Sequence, residues 1–410
     1  MACLVMKFGG TSVNGIECIR DVAKIVKKEI DAGYQVAVVV SAMSGDTQRL
    51  LELCKSTGIE QEKSVFEYAL IVSTGEQIVA GLLALALQKI GVPVRSWLGW
   101  QIPIYTLDNN IKSRIGNIDA QGIQEIFASG QHAVVAGFQG VSKDNRILTL
   151  GRGGSDTSAT ALAIAMGAER CDIYTDVNGV YTTDPRIVVK ARRLNRITYE
   201  EMLELASLGA KVLQTRSLEL AMKYGVRLRV LSSFENKMGT IICSEEEVVE
   251  SKEISGIACS LAEAQITILS VLDTPNMAAQ IFGCLADADI NVDMIVQDVS
   301  REGRTNITFT VSVDEFQHAC DVLRAEKDAI WYQDIQVDDE VSKVSVVGIG
   351  MRSHVGVAQK VFRVMAAEQI NIKAITTSEI RISILIKRKY MELAVRALHD
   401  AFDLDKEDAN

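Results

Sequence analysis

The chain has 410 residues, enough for two or three domains with full cores. Its 48% hydrophobic and 23% charged residues are a globular balance, and a formal net charge of −10 tells against general nucleic-acid affinity, which needs a basic face. Eight cysteines without a C-x-x-C pair and four histidines without ligand spacing tell against a metal site and point to a reducing cytoplasm, while no apolar run reaches the roughly 18–20 residues that cross a bilayer.

Residues 4–8 read as a short apolar strand that runs into a glycine turn, Lys7-Phe8-Gly9-Gly10-Thr11-Ser12. A helix is expected over 16–32, and the β-branched run 36–40 suits a strand buried on both faces. The alanine-rich stretch 78–87 reads as a buried helix. Residues 133–136 and 147–150 read as strands, the latter leading into Gly151-Arg152-Gly153-Gly154-Ser155-Asp156 and a small-residue helix over 158–168. A strand at 171–175, a helix at 199–207, a helical segment at 211–224 and a strand at 226–231 complete this half. Such alternation predicts an α/β fold, helices sandwiching a mostly parallel sheet.

The two glycine turns carry the chemistry. Glycine lets backbone approach a ligand closely, and the amides at a helix start suit phosphate. Arg152 is a planar fork for a carboxylate or phosphate, and Lys7 is a cation at a strand end. Together they point to phosphoryl transfer between a nucleotide and an acidic small molecule.

Past the acidic run Glu245-Glu246-Glu247 the sequence repeats. Ile266-Thr267-Ile268-Leu269 matches Val344-Ser345-Val346-Val347, and Ala278, Ile281, Phe282, Ile290 and Asn291 match Ala358, Val361, Phe362, Ile370 and Asn371. Each copy reads strand, helix, strand, strand, helix, a ferredoxin-like pattern. The second copy is one strand short, and residues 254–259 are the candidate to supply it.

These segments, with Thr175-Asp176-Val177-Asn178-Gly179-Val180-Tyr181 and Asp184-Pro185-Arg186, resemble the aspartate kinases over nearly the whole chain. The resemblance implies an amino acid kinase catalytic domain over 1–245, a linker and donated strand over 246–264, and two ACT domains over 265–340 and 341–410. It implies that MgATP, its metal held mainly by the phosphates, phosphorylates the L-aspartate β-carboxylate. Such a nucleophile is already ionised at pH 7, so no general base is required and catalysis rests on positive charge around the transferred group.

Carried over residue by residue, the resemblance gives Lys7 the role of charge stabiliser and Glu76 that of holding the substrate ammonium, although Glu76 is equally read as a helix-start glutamate. Ser41, Thr47, Arg152, Gly153, Gly154 and Ser155 complete the aspartate site, with Arg152 on the α-carboxylate. Asp156 is placed to orient Lys7 or a magnesium-bound water, or to cap the next helix. Nucleotide positions are Lys7, Phe8, Gly9, Gly10, Thr175, Asp176, Tyr181, Arg186 and Lys211. Effector positions are Asp273, Asn276, Ala278, Asn291, Val292, Asp293, Gln297, Asn371, Ile372 and Ser378. Asn276 stands where the family usually has glycine, a change that left-handed geometry would tolerate.

The resemblance also implies feedback by lysine, threonine or both, and a homo-oligomer built on the ACT domains. A further kinase of the same fold, acting on another acid, lacks the paired repeats. A non-catalytic sensor would not need Lys7, Arg152, Asp176 and Lys211. The short stretch after residue 402 leaves no room for a fused dinucleotide-binding dehydrogenase domain.

Overall fold

The computed structural model describes residues 2–209, 212–248, 253–299, 302–352 and 354–406. Two compact units divide the chain. The first comprises residues 1–180, 193–206 and 211–249, and the second residues 181–192, 207–210 and 250–410.

The first unit is built on an eight-stranded sheet. Its order is Arg196–Thr198, Thr240–Cys243, Leu228–Ser232, Arg170–Thr175, Cys3–Phe8, Gln35–Val40, His132–Ala136, Val94–Trp97. Every pairing is parallel except that of Leu228–Ser232 with Thr240–Cys243. The strands Cys3–Phe8, Gln35–Val40 and His132–Ala136 are mostly apolar because helices cover both faces. Alternation decides which face each residue serves. Leu4, Met6 and Phe8 share a core with Ile19, Val22 and Val26 of the helix Ile16–Asp31 and with Val79 and Leu83 of Thr74–Lys89. Lys7 therefore projects from the opposite face, where it meets the helix Gly154–Met166.

Several elements differ from the expectations. The strand at Ile147–Thr149 belongs to a separate sheet ordered Ile115–Ile118, Ile104–Thr106, Gln139–Val141, Ile147–Thr149. The helix expected from residue 158 begins four residues earlier, so Ser155 and Asp156 lie inside its first turn. The helix expected over 211–224 runs Thr215–Tyr224. The stretch Val65–Lys89 is long and apolar enough to cross a membrane by length and composition. Here it is two helices, Val65–Val72 and Thr74–Lys89, whose Val72, Val79, Leu83 and Leu87 are buried in the protein.

In the second unit the strands Gly256–Leu272 and Asp334–Val347 each serve both sequence repeats. Gly256–Cys259 pairs antiparallel with Val344–Val347, and Gln265–Leu269 pairs with Asp334–Asp338. The resulting six-stranded sheet carries separate helix-covered cores, one around Ile266, Ile281 and Phe309, the other around Val346, Val361 and Ile384.

Candidate active site

Four parallel strands of the first unit end level with one another. Phe8 lies opposite Val40 and Tyr174, and Val40 lies opposite Ala136. Their carboxyl ends release the loops that carry Gly9 and Gly10, Ser41, Phe138 and Asp176, the usual position of a ligand crevice in an α/β sheet, while the turn at Arg152 follows Ile147–Thr149 of the second sheet.

Lys7 Nζ lies 2.5 Å from Asp156 Oδ1, with side chains only 11% and 10% exposed. Asp156 thus serves Lys7 and not the helix cap, which is Gly153. A Cβ on Gly9 would stand 3.5 Å from Lys7 Nζ, and one on Gly10 would stand 2.8 Å from the Ala42 carbonyl oxygen. Only bare backbone fits the second position, so the turn lies tight against the loop after Gln35–Val40.

Glu76 is 3% exposed in the first turn of Thr74–Lys89. The Ala42 N–H donates to its Oε1 at 3.0 Å, while its Oε2 is buried without a hydrogen-bond partner. Burial pushes this carboxyl up to about 7, against the Ala42 hydrogen bond and with help from nearby Asp46. A buried carboxylate oxygen with no partner is a ready acceptor for a ligand ammonium. Ser41 is held by its N–H donating to Phe8 O at 3.1 Å, and Thr47 lies in the first turn of the helix Asp46–Lys55.

Arg152 is exposed and makes no ion pair among the described residues, so its fork is free to take an anion. Gly153 beside it has φ 71°, and a Cβ there would fall 1.9 Å from Gln214 Cγ. Both conditions require glycine. Ser155 is buried in the following turn.

The nucleotide positions divide between the two units. Thr175 ends its strand and donates its hydroxyl to Asp176 Oδ1 at 3.1 Å. Tyr181 and Arg186 fall in the second unit. Their segment is held there by Ile257 N–H donating to Thr182 O at 2.7 Å, and Val188 joins the core of Val346 and Val361. Arg186 is engaged by Asp184, Nη2 to Oδ2 2.7 Å. Lys211 lies outside the described residues. Among the described residues no cluster of His, Cys, Asp and Glu is arranged to hold a metal ion.

A family model described as the amino acid kinase family matches residues 2–232, and one described as the ACT domain matches 261–326 and 344–402. An aspartate kinase of Pseudomonas fluorescens is 53% identical over 406 residues, 99% of this chain and 98% of that protein. The chain belongs to the aspartate kinases. An aspartokinase of Helicobacter pylori is 47% identical over 410 residues, 98% of this chain and all of that protein. The solved structure of E. coli aspartokinase III in complex with aspartate and ADP matches with a TM-score of 0.79 at 26% identity, over 97% of this chain and 99% of that one.

The ACT half of the aspartate kinase displays the effector positions unevenly. Asp273, Ala278, Asn291, Gln297, Asn371 and Ser378 are exposed, and Val292 and Ile372 are half-buried. Asp273 N–H donates to Gly303 O at 2.9 Å, and Gln297 pairs with Ile307 on the strand Arg304–Ser312 that begins just after that glycine. Asn276 has φ −88°, so the left-handed geometry expected there does not occur and asparagine fits without strain. Asp293 is already bonded to Lys343, whose Nζ also lies 3.1 Å from Glu263 Oε1. That carboxylate is committed to the joint between the two repeats.

Sequence reasoning missed the Ala42 amide, Gln214 and Phe138. Backbone donors leave no side-chain signature. The left-handed Phe138 (φ 67°) follows Gly137 in the loop after His132–Ala136, where no residue pattern marks it.

Proposed function

We propose that the enzyme transfers the ATP γ-phosphoryl group to the β-carboxylate of L-aspartate, giving 4-phospho-L-aspartate. The observation that carries this reading is the buried, unpartnered Oε2 of Glu76 at the same strand ends as the Lys7–Asp156 pair. Glu76 receives the substrate ammonium, Arg152 grips the α-carboxylate with Ser155 and Thr47 assisting, and the β-carboxylate is left directed toward the phosphoryl group. Lys7 and the amides of Gly9 and Gly10 neutralise charge on the transferred group, the main obstacle when an anion attacks a polyanion. Asp156 keeps Lys7 in place before the nucleotide arrives.

Thr175, Asp176, Tyr181, Arg186 and Lys211 serve the nucleotide. Mg2+ would be held mainly by the ATP phosphate oxygens and would offset their charge. The complex of E. coli aspartokinase III with aspartate and ADP supports the same pair of ligands here.

The product stands at the start of lysine, threonine and methionine biosynthesis, and lysine, threonine or both inhibit through the ACT domains. A structure of E. coli aspartokinase III with lysine and aspartate, 27% identical with a TM-score of 0.77, supports that assignment. The enzyme works in the cytoplasm as a homo-oligomer joined through its ACT domains. Eight free thiols support the compartment. A coupled assay of ADP formation with aspartate, glutamate and N-acetylglutamate tests the reading. Turnover with aspartate is expected, and a preference for either other acid overturns it.

A further inference from the structure

Phe138 stands where three parts of the catalytic unit meet. Its φ of 67° lies in the left-handed region, which a bulky side chain rarely adopts, and such strain persists only where the surroundings over-determine it. Here they do. The Phe138 N–H donates to Ser158 Oγ at 3.2 Å, and the Ser158 hydroxyl in turn donates to Gly154 O at 2.8 Å. Leu150 N–H donates to Phe138 O at 2.9 Å. Both backbone polar groups of Phe138 are therefore tied to the segment that carries Arg152, Ser155 and Asp156.

The ring adds a second constraint. A Cβ on Gly154 would stand 2.9 Å from Phe138 Cδ2, so the ring is seated on that glycine. The ring also packs against the cluster of Leu50, Cys54, Tyr68 and Val72, contributed by the helices Asp46–Lys55 and Val65–Val72. Thr47 lies in the first turn of the former. The ring is thus a wedge between the Thr47 side of the cleft and the Arg152–Ser155 side. Glycine would adopt this backbone without steric cost, so what the position gains from phenylalanine is the wedge.

We propose that Phe138 is a positioning residue that sets the width of the aspartate slot and so its discrimination by acceptor length. The proposal rests on the assignment of Thr47, Arg152 and Ser155 to aspartate. Losing the ring lets the two sides drift, which weakens a short dicarboxylate held at both ends more than a longer one. Among the described residues no hydrogen bond ties Phe138 to the nucleotide position at Thr175 and Asp176.

The test compares full-length wild type with Phe138→Leu, Phe138→Tyr and Ser158→Ala. Thermal unfolding is measured alongside KM for aspartate, KM for ATP, and the ratio of kcat/KM for aspartate over glutamate. Phe138→Leu is expected to raise the aspartate KM and lower that ratio by about ten- to a hundredfold, leaving the ATP KM nearly unchanged. Phe138→Tyr, which keeps the ring, should restore both. An unchanged aspartate-to-glutamate ratio, with only a lower melting temperature, overturns the proposal. Should Phe138→Leu fail to fold, Ser158→Ala decides. It should shift the ratio in the same direction, and no shift overturns the proposal. Wild type without aspartate-dependent turnover would instead overturn the assignment beneath it.

Discussion

Lys7 Nζ and Asp156 Oδ1, 2.5 Å apart, join the end of the first strand to the first turn of the helix Gly154–Met166. The pair is nearly buried, so each member depends on the other. Lys7→Ala should lower kcat on the order of 10²–10³, the usual loss for one contact to developing charge. It should also destabilise the protein on the order of 3 kcal/mol, because Asp156 is left charged and unpaired. The double change Lys7→Ala/Asp156→Ala should recover the melting temperature and leave the activity low. A single variant within tenfold of wild-type kcat would remove Lys7 from the mechanism.

Glu76 sets a pH dependence. Its carboxyl titrates at about 7 in the empty site, against an ordinary value of 4.5. The charged form is the one that holds an ammonium, so the KM for aspartate should rise as pH falls below about 7. Stability has the opposite sign. A raised carboxyl favours the folded state fully below pH 4.5, and that contribution, roughly 3 kcal/mol, is lost as pH rises through 7. Melting curves of ligand-free Glu76→Gln should lack this slope. If wild type and Glu76→Gln lose stability equally between pH 4.5 and 8, the group titrates elsewhere.

Arg152→Lys should raise the KM for aspartate strongly and that for ATP little, since an ammonium cannot reproduce a two-point fork. The converse pattern would assign Arg152 to the phosphates.

Gly153→Ala should cost more than Gly167→Ala. Both glycines are left-handed, but a Cβ on Gly167 meets nothing within 4 Å whereas one on Gly153 strikes the Gln214 side chain. Gly167→Ala carries the conformational cost alone, about 1 kcal/mol. Gly153→Ala adds a clash that shifts the Arg152 turn, so its aspartate KM should rise as well. Equal melting temperatures for the two variants would contradict the close approach of Gln214 to Gly153.

Gln297→Ala should relieve inhibition by lysine or threonine with uninhibited kcat preserved, because a ligand regulates only through unequal affinity for two states. Inhibition curves for each amino acid, singly and together, provide the check. Unaltered curves would place the effector away from Gln297.

Much of this architecture is legible in the sequence, for physical reasons. The strands Cys3–Phe8 and Gln35–Val40 are mostly apolar because both faces are covered, and the helix Ile16–Asp31 keeps one apolar face. The second sheet is not legible, since strands such as Ile104–Thr106 and Gln139–Val141 are too short to show a period. Nor is the pairing of Asp293 with Lys343, because a contact across fifty residues leaves no spacing to read. The glycine run 151–154 signals close backbone approach, but not that Gln214 is what approaches Gly153.

The most direct test of the account is to trap the product. An acyl phosphate reacts with hydroxylamine to give a hydroxamate, which can be isolated and its position fixed by mass spectrometry. Incubation of the full chain with ATP, Mg2+, L-aspartate and hydroxylamine should yield the β-hydroxamate of aspartate, with ADP formed in equal amount and both products formed on the order of 10²–10³ more slowly by Lys7→Ala. ADP release without hydroxamate, or hydroxamate at the α-carboxyl, would contradict the orientation assigned to Glu76 and Arg152.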